Sequence, residues 1–130
     1  MKRNIIFLTA SMLLLAACTS TDQQKANKIY SCSNTTQEES MITYTYVEAN
    51  YRDSELISGF ITTVMEYDSE KKAELVYRQY QDKQDSNHKA ELSIQDSSVT
   101  LKVTYPNSLD KDSLAEKVRV MSLNGACQIK

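Results

Sequence analysis

Along residues 41–49, "MITYTYVEA", bulky and hydroxyl side chains alternate: Ile42, Tyr44 and Tyr46 fall on one parity, Thr43 and Thr45 on the other. A period of two is what a strand with one buried face requires, because successive side chains point to opposite sides. The same alternation places Ala90, Leu92 and Ile94 on one side of "AELSIQ", and Val99, Leu101, Val103 and Tyr105 on one side of "SVTLKVTY". Asp96 and Ser97 between these runs predict a tight hairpin. "KIYSCS" and "LISGFITTVMEY" are rich in β-branched and aromatic residues and predict two more strands, linked through the polar connections "NTTQEES" and "NYRDSE". Gly59 inside the second of these predicts a bulge or a close backbone approach.

Two segments carry the helical period instead. In "DSEKKAELVYRQYQDKQ", Ala73, Val76, Tyr77 and Tyr80 stand at i, i+3, i+4 and i+7, one apolar stripe behind a cap at Asp68 or Ser69. After Pro106, Ser113 and Glu116 have capping-box spacing, Leu114, Val118 and Met121 repeat at i, i+4 and i+7, and Gly125 suits the left-handed residue that ends a helix. "KVRVMSL" also alternates, so a strand over residues 117–123 is the competing reading. The order βββαββα predicts an α+β fold with a single antiparallel sheet of about five strands and two helices packed on one face.

If the helices cover Tyr44, Tyr46, Leu92, Ile94, Leu101 and Val103, the opposite face carries Thr43, Thr45, Glu91, Ser93, Thr100, Lys102 and Thr104. Thr43, Thr45, Thr100, Lys102 and Thr104 are then the candidate binding face, with simple solvation as the alternative and the loops around Tyr51 and His88 as the alternative location.

The N-terminus follows neither period. "IIFLTASMLLLAACTS", residues 5–20, is preceded by Lys2 and Arg3 and is uncharged throughout. A basic start, a short apolar run and small residues at its close are the layout of a secretory signal. A helix over residues 5–17 rises about 20 Å, short of a hydrocarbon core of about 30 Å. Leu15, Ala16, Ala17 and Cys18 resemble the lipobox of bacterial lipoproteins, which implies that Cys18 carries thioether-linked lipid and becomes the first residue after cleavage. An ordinary signal peptide is the alternative. Residues 1–17 then form the signal peptide, 18–27 a polar flexible tether, and 28–130 a small α+β domain. The expected location is extracytoplasmic, on a cell membrane or outer membrane.

Cysteine usage follows from that assignment. With Cys18 committed to lipid, Cys32 and Cys127 remain in a compartment outside the reducing cytosol, and one disulfide is expected. Two free thiols or a metal pair are the alternatives. The pair lacks the close spacing that tunes an exchanging dithiol. Composition adds that the formal charge of −2 becomes about −4 once Lys2 and Arg3 leave with the signal. An acidic balance argues against nucleic acid and against a polybasic membrane patch, leaving lipid as the expected membrane contact.

The lipobox, the cysteine in the opening strand, "ITYTY", a helix, a hairpin and a last helix closing in Asn124, Gly125 and Cys127 together resemble the YehR-like family of small bacterial lipoproteins. That resemblance covers residues 28–130 and implies no established activity. The chain departs from the family's pattern at "VEANYRDSE", where a Gly-Asp turn is expected.

Candidate chemistry is sparse. A single histidine, His88, sits in a polar stretch, and with two glycines there is no phosphate-binding loop. Glu38 and Glu39, Asp82 and Asp85, and Asp110 and Asp112 are paired acids, read as solvated or capping groups and not as metal ligands or glycosidase carboxylates. No metal or cofactor is expected. Three functions stay open: a non-catalytic envelope lipoprotein binding a glycan or a partner protein; an exclusion or immunity-type lipoprotein that blocks an envelope receptor or channel; and, least favoured, a small carbohydrate-active hydrolase.

Overall fold

The longest pairing in the molecule is a hairpin of β2 (Met41–Arg52) and β3 (Glu55–Tyr67), turned by Asp53 and Ser54. Both turn residues are left-handed, with φ of 50° and 75°, the backbone of a two-residue turn whose twist matches that of paired strands. The chain therefore makes this turn without the glycine expected there. Asn27 holds its tip: its amide donates to Asp53 Oδ1 at 2.9 Å, and the Asp53 N–H donates back to Asn27 Oδ1 at 3.3 Å. The computed structural model describes residues 26–84 and 90–130.

β1 (Lys28–Gln37) lies beside β2, and the β4 (Glu91–Gln95)–β5 (Ser98–Tyr105) hairpin joins the other side through β3. The sheet is antiparallel throughout, in the order β4-β5-β3-β2-β1-β6. Its sixth strand, β6 (Cys127–Ile129), spans 3 residues, too few to show a period in the sequence. Asp96 and Ser97 make the predicted tight turn, and the Ser97 carbonyl accepts the Tyr67 N–H at 2.9 Å.

Helices α1 (Glu70–Lys83) and α2 (Lys111–Leu123) pack on one face of this sheet. Ser69 caps α1, its hydroxyl accepting the Lys72 N–H at 3.2 Å, and Asp68 pairs with Lys72 at 2.9 Å. The cap of α2 is Asp110 and not Ser113. The Asp110 carboxylate accepts the Ser113 N–H at 2.6 Å and its hydroxyl at 2.9 Å, so Ser113 lies inside the first turn. Glu116, freed from the expected capping box, holds Arg119 in two hydrogen bonds of 2.9 and 2.6 Å. The strand reading of residues 117–123 gives way to helix because Leu114, Val118 and Met121 form its buried stripe. Gly125, at φ 73°, ends that helix, and the Ala126 N–H returns to the Met121 carbonyl at 2.9 Å.

Two clusters make up the interior. Under α2, Leu114, Val118 and Met121 meet Cys32, Val47, Ala49 and Leu56 of the sheet. Under α1, Ala73 with Val76, Tyr77 and Tyr80 meets Met65 and Val99. Cys32 and Cys127 are directly opposite in register, with Cα atoms 4.0 Å apart, and are joined by a disulfide. A bond across 95 residues removes chain entropy from the unfolded state worth about 4 to 5 kcal/mol in the loop-closure treatment.

The sheet residues beneath α2 are small for a reason. Gly59 faces Ala49 across the β2–β3 pair, and a Cβ added at Gly59 would lie 2.6 Å from Leu114 Cδ2 and 3.1 Å from Ala49 Cα, with the Glu48 carbonyl oxygen also in the way. Here Gly59 marks the expected close approach. The irregularity lies beside it, where a register shift between Asn50 and Tyr51 leaves Ile57 unmatched and turns Leu56 inward. Gly59→Ala should destabilise the fold by about 1 to 3 kcal/mol, the cost of overpacking a tight core. A urea midpoint unchanged from wild type would show that α2 does not seat there.

Candidate functional site

The register builds a second face that neither helix touches. Tyr46 stands opposite Thr62, Thr62 opposite Lys102, and Lys102 opposite Glu91, one row across four strands. Beside it run Tyr44, Val64, Thr100 and Ser93 on one flank, and Ser31, Glu48, Phe60 and Thr104 on the other. Directly opposed residues share a face, so these rows form one continuous surface.

This surface corrects the expected facing of β2. Thr45 is only 8% exposed and shares its parity with buried Val47 and Ala49, while Tyr46 is 46% exposed. Thr43, opposite buried Met65, likewise lies on the helix side. The open face therefore carries Tyr44 and Tyr46 in place of Thr43 and Thr45. Thr100, Lys102 and Thr104 occupy it as expected, because their neighbours Val99, Leu101 and Val103 turn toward the helices. The signal for β2 was present further along the strand: Glu48 and Asn50 have the parity of Tyr44 and Tyr46, and Val47 and Ala49 that of the threonines.

Phe60 is among the residues of β3 that the expected face lacked. Its ring is half-buried, and the Lys102 ammonium lies over it at 4.7 Å from the centroid. Such stacking holds the lysine stem against the sheet and presents the charge above an aromatic surface. The Tyr44 hydroxyl donates to Glu66 at 3.5 Å, a long contact that leaves the phenol able to take another partner. Aromatic rings, hydroxyls and a cation seated on a ring, side by side on one sheet face, suit stacking and hydrogen bonding with a polar ligand.

A second feature is concave. A groove of about 580 Å³ lies between α2 and the β1–β6 edge, lined by Tyr30, Tyr51, Val118, Leu123, Cys127 and Ile129 among others. The tyrosines meet edge to face with centroids 5.4 Å apart. Burial first, and then the neighbouring Tyr30, push the Tyr51 phenol above its ordinary 10.0, against a smaller opposing pull from Lys28. The loop position proposed for Tyr51 in the sequence reading is corrected: it ends a strand and faces this groove.

The paired acids are separated in the fold. Glu38 and Glu39 lie at the β1–β2 turn, Asp82 on α1, and Asp110 and Asp112 at the start of α2, where Asp110 is occupied as a cap. Among the described residues, no three His, Cys, Asp or Glu side chains gather in a way that could hold a metal ion. No helix among them is long and apolar enough to cross a membrane. Cys18, His88 and Asp85 lie outside the described residues.

No family model, no curated protein and no solved structure matches the chain.

Because the folded state favours the neutral Tyr51 phenol, its contribution to stability is fully present below pH 10.0 and is lost as pH rises through the raised folded value. In an alkaline titration followed by ultraviolet difference absorbance, Tyr51→Phe should remove one late-ionising tyrosine. An unchanged late phase would mean that Tyr51 is solvated.

Proposed function

We propose that this chain is a lipid-anchored, non-catalytic envelope module that recognises a glycan on its open sheet face. The observation that carries this reading is the strip of Tyr44, Tyr46, Phe60 and Lys102 on a face of the six-stranded sheet that both helices leave uncovered. Sugar rings offer apolar C–H faces flanked by hydroxyls. A tyrosine offers the matching pair, an aromatic plane with a polar tip. Around Tyr44 and Tyr46 stand Thr62, Thr100 and Thr104 as hydroxyl partners and Glu48, Glu66 and Glu91 as acceptors, all brought onto one surface by the strand register.

The lipobox at residues 15–18 and the short apolar run before it support the anchor, and the Cys32–Cys127 disulfide is in keeping with an oxidising compartment. The resemblance to YehR-like lipoproteins points the same way. An acyl anchor of two or more chains, at about 0.8 kcal/mol per buried methylene, holds a protein stably where one chain does not.

Two experiments test the reading. Tyr46→Ala combined with Lys102→Glu leaves both core clusters untouched and should cut binding to isolated cell-wall glycan at least tenfold, measured by calorimetry on folded protein. Wild-type affinity in the double variant would remove the open face as the site. Separately, Cys18→Ala should release the protein from membranes or stall its precursor; a correctly processed N-terminus with full membrane retention would defeat the anchor.

A further inference from the structure

We propose that the groove between α2 and β6 is a membrane-docking surface, with Leu123 and Ile129 resting in the interfacial layer of the bilayer that holds the anchor. This inference rests on the lipid-anchor reading and adds an orientation to it.

The starting observation is exposure. Leu123 is 75% and Ile129 58% exposed, two large aliphatic side chains that line the same groove from opposite walls, one on the last turn of α2 and one on the edge strand. Large side chains left in water around one concavity mark a contact surface more often than scattered ones do. Tyr30 and Tyr51 stand beside them, each with an apolar ring and a polar tip, the type of side chain that settles at a membrane–water boundary.

Position then selects the occupant. Ile129 pairs directly with Tyr30, two residues beyond the point where the chain enters β1 at Lys28. A smaller hollow lined by Asn27, Lys28, Tyr30, Tyr51 and Ser54 continues the groove to that entry point. Residues 18–27 are the connection back to the anchor, and at 3.3–3.6 Å per residue they reach about 35 Å at most. The domain end that carries Leu123 and Ile129 is thus the end held against the lipid.

A tethered surface needs little affinity of its own, because the second contact is intramolecular and its effective concentration is high. Charge is not the driving force: Arg119 at the groove wall is already held by Glu116, Lys28 lies over the Tyr30 ring, and the mature chain is acidic. The contact is apolar and should form on zwitterionic lipid.

The test uses the full lipidated protein in phosphatidylcholine nanodiscs with methyl-labelled Ala, Leu and Ile and a trace of nitroxide-bearing phospholipid, which should broaden the Ala115 methyl in the groove. Leu123 and Ile129 methyl signals should broaden severalfold more than those of Leu92 and Ile94, on the far edge of the sheet. In Leu123→Ser with Ile129→Ser, both changes at exposed positions, the Ala115 methyl should lose its broadening while the spectrum stays folded. Uniform broadening in protein shown by intact mass to carry lipid overturns the docking alone. Broadening of the groove by a nitroxide-tagged second copy, with none from lipid, also overturns it. Absence of lipid on Cys18 removes the anchor reading and the docking together.

Discussion

The seat of Leu114 over Ala49 and Gly59 governs the rest of the molecule. A helix can come this close to a sheet only where the strands beneath it lack bulk, and Ala49 and Gly59 are direct partners across the β2–β3 pair. Once that point is fixed, strand geometry leaves no freedom: Val47 and Thr45 must also face the helices, and Tyr44, Tyr46 and Glu48 must face away. The composition of the uncovered surface is therefore set by a packing contact on the other side of the sheet.

Much of this was legible in the residues. The β4–β5 hairpin, the stripes of both helices and the Cys32–Cys127 pair each rest on a pattern long enough, or a choice narrow enough, to decide. The facing of β2 did not read correctly from "ITYTY", because tyrosine is large enough to suggest burial and amphipathic enough to stand in water. Val47 and Ala49, less conspicuous, were the residues that decided it. Phe60 escaped notice for a related reason, since every position around it in β3 is apolar or hydroxylated and the alternation is blurred. β6 is too short to carry any period. At α2, Asp110 outcompeted Ser113 as cap because its carboxylate reaches both the N–H and the hydroxyl of Ser113, a choice that spacing alone leaves open.

The open face and the groove lie on different sides of the same sheet and are built on different principles. One is polar and aromatic, and is held by ladder hydrogen bonds. The other is concave and apolar, walled by a helix and floored beside a covalent bond. Lys102 lies over the Phe60 ring on the first, and Tyr30 meets Tyr51 edge to face on the second, so each surface is braced by a ring contact.

The two interior clusters are separated by a row in which Thr45 and Thr63 stand opposite each other, and threonine contributes less apolar burial than the residues on either side. The disulfide staples the cluster beneath α2. Among the described residues, the cluster beneath α1 has Met65, Ala73 and Val99 as its buried members and has no covalent tie. Buried apolar support and the covalent tie are therefore unequal across the domain, and local opening is expected to begin in the half built from α1, β4 and β5.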